Sequence, residues 1–251
     1  MHFGIYIIGD EILSGKRADT HLSKVIALLS ARGLQLSWAN YLGDIPSQIT
    51  ASLKASMARD DVVFSFGGIG ATPDDYTRQC AADAAGVPIE RHAGAVENIV
   101  AQYGEGAYPK RVIMADFPQG AQLIPNPVNR VAGFSMGLDA SKPTHYFVPG
   151  FPEMAHPMLE WVLETYYSHL FHRQDYVEQS ILVTEAGESD LIDLMQNTLK
   201  KFPDLKLFSL PRSNQLRTTE LGLKGASTRV AEGLAELKIG VTALGFPWAD
   251  L

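Results

Sequence analysis

A buried strand that runs directly into a glycine-rich turn restricts the fold of this 251-residue chain more than any other feature. Asp61 is followed by VVFSF, and the chain continues as Gly67-Gly68-Ile69-Gly70-Ala71-Thr72-Pro73-Asp74-Asp75. An unbroken apolar run of this length is typical of a strand buried on both faces of a sheet. Glycine lets the backbone turn sharply and lets a ligand approach main-chain N–H groups. The pattern predicts a strand that ends at a binding loop.

Strand-like and helix-like segments alternate through the first third of the chain. The strand-like runs cover residues 3–8, 34–42 and 61–66. The helical segments that follow them begin near Asp19 or Thr20, at Pro46 and at Asp74, with apolar residues at helical spacing. This order predicts an α/β fold, a three-layer αβα domain on a mainly parallel sheet.

The remaining segments predict the domain organisation. Two strands at residues 122–124 and 145–148 and a long helix at 153–171 complete the first domain, which we place at residues 1–172. A small α+β domain follows at residues 173–251. Its predicted elements are a strand at 177–184, a helix at 189–202, strands at 205–210 and 217–223, a helix at 228–237 and a last short strand at 239–243.

Charge and cysteine content exclude several kinds of partner and site. The sequence has 21 Lys and Arg against 28 Asp and Glu, a net charge of -7. Because duplex binding depends on a basic surface, we expect no nucleic-acid partner. Cys80 is the only cysteine, which excludes an internal disulfide and a cysteine-cluster metal site.

The N-terminal segment has no targeting pattern. Its apolar run at residues 3–8 is too short to span a bilayer, and no basic segment precedes it. We expect a soluble cytoplasmic protein with no membrane partner.

The glycine loop is the main candidate site. Free N–H groups at the start of the following helix suit a phosphate, so we expect a small phosphorylated ligand here. Asp74 and Asp75 at the helix start favour a divalent metal that bridges to the phosphate. The alternative is a tight turn in which an aspartate caps the helix. The phosphate-binding candidates are Gly67, Gly68, Gly70, Thr72, Asp74 and Thr77.

Two acidic turns follow the first two strands. Gly9-Asp10-Glu11 ends the first strand and Asp44 ends the second. If the strands are parallel, these turns open on the same sheet edge as the glycine loop. Converging carboxylates repel one another unless a cation lies between them. The alternative is that Asp10 and Asp44 cap helices.

Two further loops add polar groups. Asn126, Asn129 and Arg130 lie in a loop held by two prolines, and they suit a phosphate or the edge of a heterocycle. Pro149 and Gly150 form a turn between a strand and a helix, as the glycine loop does.

Together these motifs resemble the molybdopterin-binding (MoaB/Mog-like) domain family, and within it the N-terminal half of the CinA family. The resemblance rests on the motifs at residues 9–15, 67–77, 126–127 and 148–154. The resemblance covers about the first 170 residues, in order and with matching spacing.

The resemblance implies a Mog-type fold that binds molybdopterin or a nucleotide. It also implies a homo-oligomer, and catalytic roles for Asp44 and Asp75. The main hypothesis is a divalent-metal-dependent pyrophosphatase acting on ADP-ribose or a similar dinucleotide, with Asp75, Asp44 and Asp10 holding Mg²⁺. The alternative is a non-catalytic binding protein. We expect no amidohydrolase activity, which CinA proteins often carry in a further C-terminal half.

Other motifs are weaker candidates. Lys16, Arg78 or Arg130 could add a cation to the site, and the sequence does not rank them. Cys80 is expected to pack in the core. Gly222-Leu223-Lys224-Gly225 matches the GxxG of an RNA-binding loop, but it follows a strand in an acidic segment, which disfavours an RNA role.

Overall fold

The computed structural model describes residues 2–137, 144–173, 176–213 and 217–251. The chain forms two compact units, Met1–Phe171 and His172–Leu251.

The first unit is built on a six-stranded sheet. Its elements in chain order are β1 (His2–Ile8), α1 (Asp10–Leu13), α2 (His21–Ser30), β2 (Leu36–Leu42), α3 (Pro46–Met57), β3 (Asp61–Phe66), α4 (Thr77–Ala85), β4 (Ile89–Arg91), α5 (Ala93–Tyr103), β5 (Asp116–Pro118), β6 (Gln122–Ile124), β7 (Gly133–Met136), β8 (His145–Val148) and α6 (Pro152–Val162). The strand order is β2-β1-β3-β8-β7-β6. The first four of these are parallel to one another, whereas β7 pairs antiparallel with β8 and with β6. The predicted αβα fold with a mainly parallel sheet is confirmed.

Apolar strands place a core on each face of this sheet. Ile5 and Ile7 of β1 pack with α2 and α6 on one face, and Tyr6 and Ile8 pack with α3, α4 and α5 on the other. Neighbouring residues of a strand point to opposite faces, so a continuous apolar run fills both cores. Cys80 is buried in the second core, as predicted.

The first unit differs from the sequence prediction in several places. Helix α4 begins at Thr77 rather than at Asp74, because the preceding residues form a separate turn. The long helix predicted to reach Phe171 ends as α-helix at Val162 and continues as a π turn (Leu163–Tyr167) and a 3-10 turn (Ser168–Leu170). Strands β4, β5 and β7 have no clear pattern of alternation, and they were not predicted.

The second unit is a four-stranded antiparallel sheet with two helices. Its elements are β9 (Tyr176–Thr184), α7 (Glu188–Lys201), β10 (Lys206–Ser213), β11 (Arg217–Ala226), α8 (Ser227–Ala243) and β12 (Trp248–Asp250). The strand order is β10-β11-β9-β12. This unit has the predicted α+β composition.

One local prediction in the second unit is wrong. Residues 239–243 belong to α8 rather than to a strand, because Val241 continues the buried helical stripe of Leu234 and Leu237. The GxxG sequence, residues 222–225, lies inside β11 and is not a loop. No helix among the described residues is long and apolar enough to cross a bilayer.

Candidate functional site

Two pockets lie where the parallel strands of the first unit end. The loop pocket, of about 350 Å³, is lined by Gly68, Ile69, Gly70, Ala71, Thr72, Asp75, Tyr103, Met114, Asn129, Val131, Pro149, Gly150, Phe151 and Met154. The acidic pocket, of about 770 Å³, is lined by Asp10, Glu11, Leu13, Ser14, Lys16, Asp44, Asp74 and Tyr76. The predicted site residues are therefore divided between two neighbouring pockets. Six of them line neither pocket: Gly9, Gly67, Thr77, Arg78, Asn126 and Arg130.

The glycine loop has a backbone that only glycine fits. Gly67 has φ 101° and Gly68 has φ 69°, in the region that side chains rarely adopt. A Cβ at Gly67 would overlap the carbonyl oxygen of Ile8, and a Cβ at Gly68 would overlap the Thr77 hydroxyl. The N–H of Gly67 donates to the carbonyl of Val148 at 3.0 Å. The loop is thus packed closely against both strands that flank β3.

Asp75 closes the turn that follows the glycines. Its Oδ2 accepts a hydrogen bond from the N–H of Thr72 at 2.7 Å and another from the Thr72 hydroxyl. The N–H of Asp75 donates in return to the carbonyl of Thr72 at 3.0 Å. This carboxylate stabilises the turn and lies on the wall of the loop pocket.

Arg78 supports the loop from inside the protein. The side chain is 1% exposed, and its guanidinium donates to the carbonyls of Gly70 at 2.5 Å, of Ile113, and of Asp116 at 3.5 Å. Burial lowers the pKa of Arg78, while the charges of Asp75 and Asp116 oppose this shift. The C=O and N–H of a trans peptide point in opposite directions. The hydrogen bond from Arg78 to the Gly70 carbonyl therefore turns the N–H of Ala71 away from Arg78.

Thr77, at the start of α4, lies directly behind the glycine loop. Its N–H donates to the carbonyl of Gly68 at 3.0 Å. Its side chain is fully buried, and its hydroxyl has no hydrogen-bond partner among the described residues. The hydroxyl lies beneath Gly68 and Thr77 lines neither pocket, so this side chain supports the glycine loop from behind.

The two predicted asparagines have different positions. Asn126 is buried, and its amide donates to Asn129 Oδ1 at 2.8 Å and to the carbonyl of Val131 at 3.0 Å. It therefore stabilises its own loop. Asn129 lines the loop pocket, where its Nδ2 lies 3.1 Å from the Met154 sulfur.

An apolar wall faces the glycine loop across the loop pocket. Phe151 and Met154 come from the turn after β8 and the start of α6, within the segment 148–154 that carries part of the family resemblance. Tyr103 ends α5 and Met114 lies in a 3-10 turn, and sequence reasoning missed both. No local pattern marks these two residues, because they reach the loop pocket from α5 and from the 3-10 turn Arg111–Ala115, which are distant from the glycine loop in the chain.

Asp10 and Asp44 converge in the acidic pocket. The N–H of Asp10 donates to Asp44 Oδ2 at 2.9 Å, and the N–H of Asp44 donates to Asp10 Oδ1 at 3.2 Å. The pKa of Asp44 is raised, first by burial and then by the charges of Asp10, Glu11 and Asp74. The alternative that Asp44 caps the following helix is wrong, because α3 begins after Ile45 and has no side-chain cap.

The predicted metal set of Asp10, Asp44 and Asp75 is not assembled. Asp75 faces the loop pocket, where Thr72 holds its carboxylate, while Asp10 and Asp44 bond each other's backbone in the acidic pocket. Across the described parts of the chain, no three His, Cys, Asp or Glu side chains are grouped to hold a metal ion. The three aspartates as placed here therefore do not fit a shared divalent ion.

The fold and this strand-edge site define the class of protein. Residues 4–169 match the family model described as "Probable molybdopterin binding domain". The chain belongs to the molybdopterin-binding domain family.

Individual relatives extend the comparison. A CinA-like protein of Myxococcus xanthus is 34% identical over 163 residues, 64% of this chain and 38% of that protein. A protein of Pyrobaculum arsenaticum is 27% identical over 248 residues, 93% of each chain. The crystal structure of CinA, of unknown function, from Thermoplasma acidophilum has a TM-score of 0.59 at 25% identity and covers 65% of this chain and 98% of that chain. The chain spans about two fifths of the first curated CinA-like relatives it matches.

Proposed function

We propose that the loop pocket binds a phosphorylated pterin or nucleotide. The observation that carries this proposal is the loop pocket itself, whose lining includes Gly68, Gly70 and Thr72 of the glycine loop, just before the N-terminus of α4. Free N–H groups and the partial positive charge at a helix N-terminus favour a phosphate. The left-handed glycines leave the approach to these N–H groups open.

The opposite wall suits the ring system of such a ligand. Tyr103, Phe151 and Met154 offer an aromatic and apolar surface for a flat heterocycle. The cavity of about 350 Å³ is in the usual range for small-molecule sites. Molybdopterin, a pterin that carries a phosphate, combines both requirements, and membership of the family supports it as the ligand.

Hydrolysis of ADP-ribose or a similar dinucleotide is the second candidate. It is favoured by Asp44, a carboxyl group whose pKa is raised beside the loop pocket, since general bases work best with a pKa near the operating pH. The negative charge of Asp10, Glu11 and Asp74 would attract a cation to this pocket. Because Asp75 lies apart from Asp10 and Asp44, these three aspartates do not support a catalytic step through a shared Mg²⁺.

One experiment tests both candidates. The purified protein is titrated calorimetrically with ADP-ribose, FAD and NAD in EDTA, and it is then incubated with each of them in Mg²⁺, Co²⁺ or EDTA. Chromatography detects AMP. Binding without AMP supports the binding protein, whereas AMP formed only with metal supports the pyrophosphatase. Neither binding nor turnover, with no pterin or nucleotide co-purifying, would overturn the proposed function.

A further inference from the structure

A buried histidine lies behind the loop pocket, outside every motif considered in the sequence. His21 begins α2 and is 4% exposed. Its ring stacks on Phe66 with centroids 4.4 Å apart. Its Nε2 lies 3.3 Å from the carbonyl oxygen of Gly150, and its Nδ1 lies 3.2 Å from Nε2 of His156 on α6.

The chemistry of these partners assigns the ring protons. A carbonyl oxygen only accepts, so Nε2 of His21 carries a proton and donates it to Gly150. In the neutral ring Nδ1 is then an acceptor, and His156 must donate to it through Nε2–H. The two neutral imidazoles and one backbone carbonyl therefore form a directed chain of hydrogen bonds.

This chain connects the two sides of the loop pocket. Phe66, on which the ring stacks, directly precedes Gly67 of the glycine loop. Gly150, which accepts the hydrogen bond, packs so closely that a Cβ on it would lie 3.4 Å from the Cα of Gly67. His21 thus contacts the end of β3 and the turn after β8 at once.

We propose that His21 is a positioning residue, which holds the Gly150 carbonyl and so orients the Pro149–Phe151 wall for ligand binding, and that protonation of His21 itself weakens this binding. The inference rests on the proposed binding of a phosphorylated ligand in the loop pocket.

The expected pH dependence follows from the hydrogen-bond directions. One proton on His156 leaves every bond intact, because its Nε2 already donates. A proton on His21 removes the acceptor at Nδ1 and forces His156 to change tautomer, and two protons set two positive donors against each other.

Burial keeps the pair neutral near pH 7, and it is the main cause of the lowered pKa of both His21 and His156. The charged groups around the pair are Asp19, Lys24 and Glu160, with Tyr41 bonded to Asp19. Asp19 and Glu160 favour protonation, whereas Lys24 opposes it. Ligand affinity should therefore be full above pH 6.5 and should fall only at the lower pH at which His21 itself takes up a proton, because its pKa is lowered from 6.5.

Calorimetric titration of ADP-ribose in EDTA, at pH 7.5 and pH 5.5, tests the proposal on the whole chain. We expect His21→Leu to bind about tenfold more weakly at pH 7.5, the effect of one lost hydrogen bond that leaves its partner unpaired. His21→Gln keeps an N–H donor that does not titrate, so it should bind within about threefold of wild type and lose the wild-type weakening at pH 5.5. His169→Gln, at an exposed histidine, is the matched control and should keep the wild-type pH dependence.

Nitrogen NMR of the imidazole rings provides a measurement without ligand. Neutral rings with Nε2–H on both His21 and His156 at pH 7.5 are expected. Wild-type binding by His21→Leu, or a wild-type loss of affinity at pH 5.5 in His21→Gln, would overturn this inference while the proposed function stands. Absence of ADP-ribose, FAD and NAD binding by the wild type would instead remove the proposed function on which the inference rests.

Discussion

The guanidinium of Arg78 donates a hydrogen bond to the carbonyl oxygen of Gly70 at 2.5 Å, from a position with 1% exposure. The sequence offered Arg78 as one of three candidate cations for the ligand, whereas in the structure Arg78 holds the loop that lines the loop pocket. Burying a charge costs free energy unless the charged group is hydrogen-bonded, so the bonds from Arg78 to the backbone carbonyls offset this cost.

Arg78→Met should therefore destabilise the first unit by about 3 kcal/mol, because it leaves buried carbonyl groups unpaired. ADP-ribose binding should weaken as well, since the Gly70–Ala71 peptide loses its anchor. Urea unfolding and calorimetry measure the two effects. Arg91→Met is the control, because Arg91 forms a half-exposed ion pair with Asp116 that contributes less than about 1 kcal/mol. Equal stability of the two variants would contradict this assignment of Arg78.

Thr77→Val separates a ligand role from a structural one. Replacing the unpaired, buried hydroxyl with a methyl group should leave the stability unchanged or raise it slightly. It should also leave ADP-ribose binding unchanged, because the hydroxyl lies beneath Gly68 and Thr77 lines neither pocket. Ser65→Ala removes another buried hydroxyl without a partner among the described residues, near the end of β3, and should leave binding unchanged as well. A clear loss of affinity in Thr77→Val alone would show instead that the ligand reaches this hydroxyl.

Gly68→Ala tests whether stability and ligand binding depend on the backbone conformation of the glycine loop. Gly68 and Gly86 have the same φ of 69°, but a Cβ meets the Thr77 hydroxyl at Gly68 and no atom within 4 Å at Gly86. Gly86→Ala should thus cost about 1 kcal/mol, from backbone strain alone. Gly68→Ala should cost at least about 2 kcal/mol and abolish ligand binding. Thermal unfolding and calorimetry of both variants provide the comparison, and similar losses in the two would argue against a tightly packed loop.

Asp44→Asn distinguishes binding from hydrolysis. The asparagine side chain would keep an oxygen that accepts from the N–H of Asp10, and it would remove one of the negative charges of the acidic pocket. Because the folded pKa of Asp44 is raised, its ionised form is disfavoured, and its effect on stability becomes more favourable as pH falls through that pKa. The variant should gain less than about 1 kcal/mol at pH 7, after allowance for solvent screening. It should bind ADP-ribose normally and lose any AMP production, and AMP formed at the wild-type rate would exclude Asp44 as a catalytic group.

His145 should make the first unit sensitive to acid. The ring is fully buried, 2.8 Å from the Ser56 hydroxyl and 3.0 Å from the Thr144 hydroxyl, and burial lowers its pKa to about 4. The unfolded chain binds the proton more readily, so stability is complete above pH 6.5 and falls until about pH 4. The contribution over this window is of order 3 kcal/mol.

The difference between wild type and His145→Gln in urea unfolding, measured at pH 7 and pH 4.5, isolates this contribution from that of the carboxylates. The variant is expected to lose less stability on acidification than wild type does. Equal losses would show that His145 is not the group that titrates.

Short-range sequence patterns were sufficient to predict segments whose structure depends mainly on neighbouring residues. The apolar run of β3 and its glycine turn predicted both the buried strand and the loop. The parallel arrangement of β1, β2 and β3 then brought Asp10 and Asp44 to the edge where they were expected.

The same sequence patterns did not predict the directions of the side chains. Asp74 and Asp75 are adjacent in the chain, yet Asp74 lines the acidic pocket and Asp75 the loop pocket. The directions of these two side chains depend on the turn in which the N–H of Thr72 donates to the Asp75 carboxylate. A sequence motif does not specify which of the two adjacent carboxylates accepts that hydrogen bond.

The sequence by itself determined the αβα architecture and the strand edge at which both pockets lie, because apolar periodicity and glycine placement act over a few residues. The family followed from the resemblance of several motifs in series. Only the tertiary structure decided that Arg78 is buried, that Tyr103 and Met114 complete the loop pocket, and that His21 and His156 meet behind Gly150. These contacts join residues far apart in the chain, and they depend on how helices pack across the sheet rather than on any local preference of the backbone.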